Sequence, residues 1–263
     1  MAILTLQPAI PQAQGLISAG LQSRILSPTD ADFTARQESY WSNSAKITPA
    51  CTVQPQSAEE VAISVKAPVA AGQKFGVRSG GHTNWAGSKN IQDGVTSDLR
   101  EVYAELDKHR RAVTGGRGGN VGAAGLLLGG GNTFFTARQG FACDNIVSYR
   151  VVLANGTVVN ADEQTNTDLF HALKGGSINF GVATGFTMTD IRYDKVWGGM
   201  TFFPKQAISG AIEVLSSFTD NVPKYINSNL VTIFTHMPDF KDIVVATLYA
   251  NLAGIKKPPA YKK

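Results

Sequence analysis

The sequence predicts an α+β protein: a mixed helix and strand region, followed by part of an antiparallel sheet backed by helices. Three observations carry this. Helix and strand signals alternate between Ser57 and Leu99, a hairpin is written around Asn155-Gly156, and the composition shifts after Tyr193 from glycine-rich to amphipathic. The expected organisation is an N-terminal arm over 1–40, a larger domain over 41–195 and a partial second domain over 196–263.

Residues 1–40 are polar and weakly periodic, which predicts an extended or loosely packed arm. Ser57 can cap a helix running through SAEEVAISVKAPVAAG, with Glu60 completing a capping box. Pro68 should end that helix near Lys66. Lys74–Arg78 is a short strand running straight into Ser79-Gly80-Gly81-His82. Gly94–Leu99 is a second strand, and EVYAELDKHRR favours a helix. After the glycine-dense stretch GGRGGNVGAAGLLLGGG, Asn145–Ala154 and Thr157–Ala161 form a hairpin around Asn155-Gly156. The same residues spell a glycosylation sequon, but the turn reading is favoured. Asp168–Lys174 is a short helix closed by Gly175-Gly176. Trp197–Phe203, Asn229–Thr235 and Ile243–Ala250 read as strands, and Lys205–Phe218 as an amphipathic helix. There are no internal repeats.

Composition narrows the function classes. With 263 residues and 43% hydrophobic content, the chain has enough apolar material for one large domain and is not disordered. Two cysteines exclude a disulfide scaffold, and no apolar run is long enough to span a membrane. The net charge of +4 belongs to the final eight residues, KKPPAYKK, which hold four lysines and no acid. The remainder is neutral, so a nucleic-acid partner is not expected. Glycine is the informative excess: 27 residues, where ordinary usage would give roughly 18. Fifteen lie between Gly115 and Gly185 and six between Gly72 and Gly94. Crowded glycine marks tight turns and close backbone approach, often to a phosphate.

Neither a Walker-type phosphate loop nor a dinucleotide fingerprint occurs. His, Cys and carboxylate residues show no metal spacing, and His109, His171 and His236 are scattered through ordinary elements. His82 differs. A strand ending at Arg78-Ser79 and turning through two glycines can offer several backbone N–H groups to one anion, with the imidazole beside it.

The stretch VRSGGHTNWAGSKNIQDGVTSDL (77–99) resembles the first FAD-binding segment of the berberine-bridge-enzyme-like FAD-linked oxidases, within the vanillyl-alcohol-oxidase superfamily. Residues 115–188 resemble the second, and YWSNSAKITPACTVQPQSAEEV (40–61) matches in style. The resemblance implies a two-lobed FAD-binding domain of the PCMH type, then an incomplete antiparallel-sheet substrate domain. It implies FAD, covalently linked through His82, with Arg78, Ser79, Gly80 and Gly81 forming the turn around the pyrophosphate. Val121, Gly122 and Gly125 would line the isoalloxazine and phosphates. Gly130 and Gly131 would allow close backbone approach, and Asp144 and Val147 would lie toward the adenosine. The implied activity is oxidation of an alcohol, sugar or secondary-metabolite substrate by hydride transfer to the flavin, with oxygen or another electron acceptor.

Three departures qualify it. Gly118-Gly119-Asn120-Val121-Gly122 lacks the cysteine that doubly linked members carry, leaving His82 alone for attachment. The stretch from Leu99 to Gly115 is shorter than the family's and lacks two strands. The later substrate-domain strands and the usual catalytic base are absent, so the catalytic residues are unknown. Asp239, Asp242 and Tyr249 are available on expected strand ends, with surface solvation the favoured account of each. The alternative reading is therefore a truncated, catalytically impaired FAD-binding relative, or an incomplete gene product. Without a visible signal peptide the default location is cytoplasmic, although many relatives are secreted. Oligomeric state leaves no signal.

Overall fold

The computed structural model describes residues 10–98, 110–119 and 121–261. In chain order the helices are α1 (Gln14–Ser18), α2 (Ala31–Glu38), α3 (Ala58–Ala70), α4 (Ala123–Leu128), α5 (Thr136–Gln139), α6 (Thr167–Leu173) and α7 (Ile208–Asp220). The strands begin with β1 (Ile25–Leu26), β2 (Cys51–Val53), β3 (Phe75–Arg78), β4 (Val95–Asp98), β5 (Arg111–Ala112) and β6 (Ile146–Val152). They continue with β7 (Val158–Asp162), β8 (Val182–Met188), β9 (Ile191–Arg192), β10 (Trp197–Pro204), β11 (Ser228–Met237) and β12 (Asp242–Asn251). The chain forms two compact units. One holds the described residues through Asp98 together with Gly116–Gly131 and Ile146–Met188, and the other holds the rest.

The first unit contains two sheets. One has the order β1-β2-β4-β3, with β2, β4 and β3 parallel and β1 antiparallel to β2. The other, β7-β6-β8, is antiparallel. Helix α3 connects the two cores. Its Ile63 and Ala67 pack on the cluster of Leu16, Cys51, Val53 and Val95, while Val61, Ala62 and Val65 pack with Val152. Burying an apolar stripe on two sides is what fixes a helix of this composition in place.

The described residues of the expected loose arm, 10–40, are packed. Leu16, Phe33 and Tyr40 are buried, α1 sits on α3, and β1 extends the parallel sheet. The short apolar pieces here have too little periodicity to announce themselves, and long-range contact with α3 and β2 orders α1 and β1. The helix end at Pro68 is also corrected: α3 continues to Ala70 with Pro68 inside. Pro68 forgoes the helical N–H bond and crowds the carbonyl of Ser64, and its ring is buried in the last turn. The Ser57 cap is present, its hydroxyl accepting from Glu60 N at 3.2 Å. Glu60 itself reaches back to Gln56 N (2.7 Å) and pairs with Arg24 (3.0 Å), one residue beyond the expected box.

The hairpin of β6 and β7 forms as expected, with Gly156 at φ 73° donating to Leu153 O at 2.8 Å. Asn155 is not left-handed, so the loop is the three-residue kind ending in a left-handed glycine, not a two-residue mirror turn. The helix expected over 101–111 falls outside the described residues except at its end, where Arg111 is in β5. The shortened stretch after Leu99 lies there too.

In the second unit, β12 is the central strand between β10 and β11, all antiparallel over eight to ten residue pairs. The amphipathic helix begins as a 3-10 turn over Lys205–Ala207 and continues as α7. Phe218 of α7 stacks on Tyr261, which also meets Trp197 and Tyr249 of the sheet. The Tyr261 hydroxyl donates toward Asn229 O and Ala250 O, each at 2.8 Å, and accepts from Asn229 N at 3.1 Å.

Candidate flavin site

The site begins where β3 leaves the parallel sheet. Arg78, the last strand residue, is 1% exposed and points back into the protein. Its guanidinium lies 3.7 Å above the Tyr40 ring and donates to Arg36 O (2.7 Å) and Ser39 Oγ (2.9 Å). Arg36 in turn donates to Ser79 O at 3.1 Å. The turn is thus braced from beneath by charge-assisted hydrogen bonds and a cation–π contact.

Glycine is required at two places around it. Gly81 has φ 77°, and an added Cβ would lie 2.8 Å from Arg78 Nη2. Gly122, immediately before α4, packs against the same turn from the other glycine-rich segment. A Cβ there would lie 2.6 Å from Gly80 Cα and 2.9 Å from Ser79 Oγ. The two segments singled out in the sequence therefore meet backbone to backbone within one unit. Gly125, one turn into α4, has nothing within 4 Å of its Cβ direction. Gly130 (φ 92°) and Gly131 (φ 82°) are consecutive left-handed residues beyond the helix.

His82 follows the turn, half-buried, with its ring centroid 5.0 Å from that of the exposed Trp41. Its Nδ1 is sealed from solvent and meets no hydrogen-bond partner among the described residues. Leaving a buried nitrogen unsatisfied costs about 1–3 kcal/mol, so the atom fits a role that another group completes. Beyond His82, Ser44 Oγ donates to Asn84 O, Lys89 Nζ donates to Thr83 O, and Asn90 Nδ2 donates to Ile47 O (2.8 Å). Burial, with the nearby Arg78 charge adding to it, pushes the Lys89 ammonium down to about 8.

Of the twelve residues expected at the site, the structure brings together Arg78 through His82 with Gly122. Val121 packs beside Gly116, and Val147 is exposed on β6. Asp144 belongs to the other unit, where Oδ2 accepts from Phe141 N at 2.7 Å. The available acids and tyrosine all have structural partners or turn positions. Asp242 pairs with Lys205 at 2.8 Å, which holds its carboxyl below the usual range, and Tyr249 is mid-strand against Trp197. Asp239 sits in a 3-10 turn, not at a strand end. Arg36, Ser39, Tyr40, Trp41 and Lys89 escaped sequence reasoning. The adjacent aromatics Tyr40-Trp41 in a polar segment were the only signal. Among the described residues no cluster suits a metal ion, and no helix is long and apolar enough to cross a membrane.

A glycine turn packed against a second glycine segment thus stands beside an imidazole with a buried, unpartnered nitrogen. An FAD binding domain family matches residues 94–162. The chain is 35% identical over 248 residues to the FAD-dependent monooxygenase drtC of Aspergillus calidoustus, covering 84% of this chain and 47% of that protein. Among solved structures it resembles 6-hydroxy-D-nicotine oxidase of Arthrobacter nicotinovorans (25% identity, TM-score 0.74, covering 89% of this chain and 56% of the oxidase). It also resembles the berberine-bridge-enzyme-like protein 1 of Physcomitrella patens (22% identity, TM-score 0.75, 95% and 57%). Residues 94–162 match an FAD binding domain, and the fold of the chain is that of the berberine-bridge-like flavoproteins. It spans about half the length of these relatives.

Proposed function

We propose that the chain holds FAD covalently through His82 and serves the oxidation of a small alcohol, sugar or secondary metabolite, with oxygen as acceptor. The observation that carries this is the meeting of the Ser79–His82 turn with Gly122, beside a His82 Nδ1 that is buried and unpartnered. The backbone N–H groups of the turn would bind the pyrophosphate, Gly122 would leave room for close approach, and His82 Nδ1 would carry the link to the flavin 8α-carbon. FAD held there would supply two-electron redox chemistry. Arg78, Arg36 and Tyr40 keep the turn rigid, so its donors need no reorganisation when the cofactor enters.

The test is a visible spectrum of the purified chain. A yellow protein whose flavin survives denaturation, and is lost in His82→Ala, is the expected result. A folded, colourless protein after FAD incubation refutes it.

A second reading, an FAD-binding unit without turnover of its own, is favoured by the engaged states of Asp242 and Tyr249. Dithionite reduction of bound flavin with no peroxide release on a broad alcohol and sugar panel would support it. Peroxide release would exclude it.

A further inference from the structure

The peptide that carries His82 is held at several points. Residues 36–45 supply three: Arg36 on Ser79 O, Trp41 against the His82 ring and Ser44 on Asn84 O. Lys89 supplies another, through Thr83 O. Lysine is almost never buried without a partner, because water solvates its ammonium far better than protein does. Lys89 is only 8% exposed, and among the described residues no carboxylate lies within ion-pair distance. Its partners are the Thr83 carbonyl and the face of Tyr40, 5.7 Å away and already carrying Arg78 on the same ring. A lysine in the sixteen-residue loop between β3 and β4 has every opportunity to reach solvent. That it folds inward means the loop closes over it.

We infer that Lys89 is a positioning residue for His82: by holding the carbonyl of the next residue, it sets the direction of the imidazole. The amine can donate this hydrogen bond protonated or neutral, so the contact persists through its titration. The inference rests on His82 being the attachment point, but it can be read without flavin. Full-length chain from a riboflavin-starved host, labelled with ¹⁵N in the imidazoles, shows four histidines, of which His82 is identified by its loss in His82→Gln. Lys89→Met is expected to displace or split the His82 ring resonances alone, and Lys89→Arg to restore them. After FAD is added, denaturation-resistant flavin should accumulate about tenfold more slowly in Lys89→Met, in keeping with loss of one hydrogen bond to a charged group.

His82 resonances unchanged in Lys89→Met would overturn the inference, as would an equal shift of all four histidines. If Lys89→Met does not fold, Lys89→Gln decides: its amide is too short to reach Thr83 O, so wild-type His82 resonances there also overturn the inference. Flavin that stays attached in His82→Gln would instead defeat the attachment reading and leave the imidazole result to stand by itself.

Discussion

Replacing Gly122 with alanine should damage the site and the fold together, and the geometry sets the size. The new methyl would collide with Gly80 N and lie 2.6 Å from Gly80 Cα, where ordinary contact begins at 3.4 Å. The turn or α4 must therefore retreat by about 1 Å. The turn resists because Arg78 and Arg36 brace it through three hydrogen bonds of 2.7–3.1 Å. Overpacking of this kind typically costs about 2 kcal/mol, or a fall in Tm of about 4–8 °C for a chain of this size. Gly125→Ala is the matched control three residues away, in the helix and with open space at its Cβ. It should gain about 0.5–1 kcal/mol, since alanine orders a helix at lower entropic cost. Urea unfolding monitored by circular dichroism separates the two, and flavin retained after gel filtration reads the site. Gly122→Ala with wild-type stability and wild-type flavin retention would refute the close approach of the two glycine segments.

Other consequences are as direct. Tyr261→Phe removes a hydroxyl that serves Asn229 N, Asn229 O and Ala250 O, and should cost the second unit about 1–3 kcal/mol in urea unfolding. Cys51 is fully buried and its thiol is pushed up to about 11, so native protein at pH 8 should alkylate there only after denaturation, as peptide mapping would show. Lys89 is held at about 8 when folded, against an ordinary 10.5, so between these values the unfolded chain binds more protons. Its contribution to stability should rise as pH climbs through that window. Urea midpoints at pH 7.5, 9 and 10 should show the rise in wild type and its loss in Lys89→Met.

Much of the fold was legible because it is written in local chemistry. Asn155-Gly156 needs only one left-handed residue to turn the chain, and the Ser57 cap needs only a neighbouring N–H. The strands of the β10-β12-β11 sheet run for eight to ten residues, and β11 and β12 pair as sequence neighbours. The N-terminal segment was illegible for the opposite reason. Leu16 stands in a stretch too short for a period to show, and its burial depends on α3 and β2, dozens of residues away. Pro68 misled because α3 runs past it to Ala70 with the ring buried in its last turn, and the local proline rule does not see burial.

The site divides the same way, and Arg78 shows why. In VRSGGH it reads as a cation beside a phosphate turn, and its neighbours do form that turn. The side chain, however, faces inward over Tyr40 and braces the turn from behind. Gly81 is then required by Arg78 beneath it as much as by any cofactor above, and Gly122 by the turn it packs against. Glycine density in this chain thus measures how closely backbone approaches protein as well as ligand. Substituting the glycines one by one distinguishes the two. Those with a neighbour inside 3 Å should lose stability before any cofactor is added. Open positions such as Gly125 and the left-handed Gly130 should reveal a cofactor through binding: Gly125→Ala by an undiminished fold with weakened flavin, and Gly130→Ala by a flavin loss greater than its backbone strain explains.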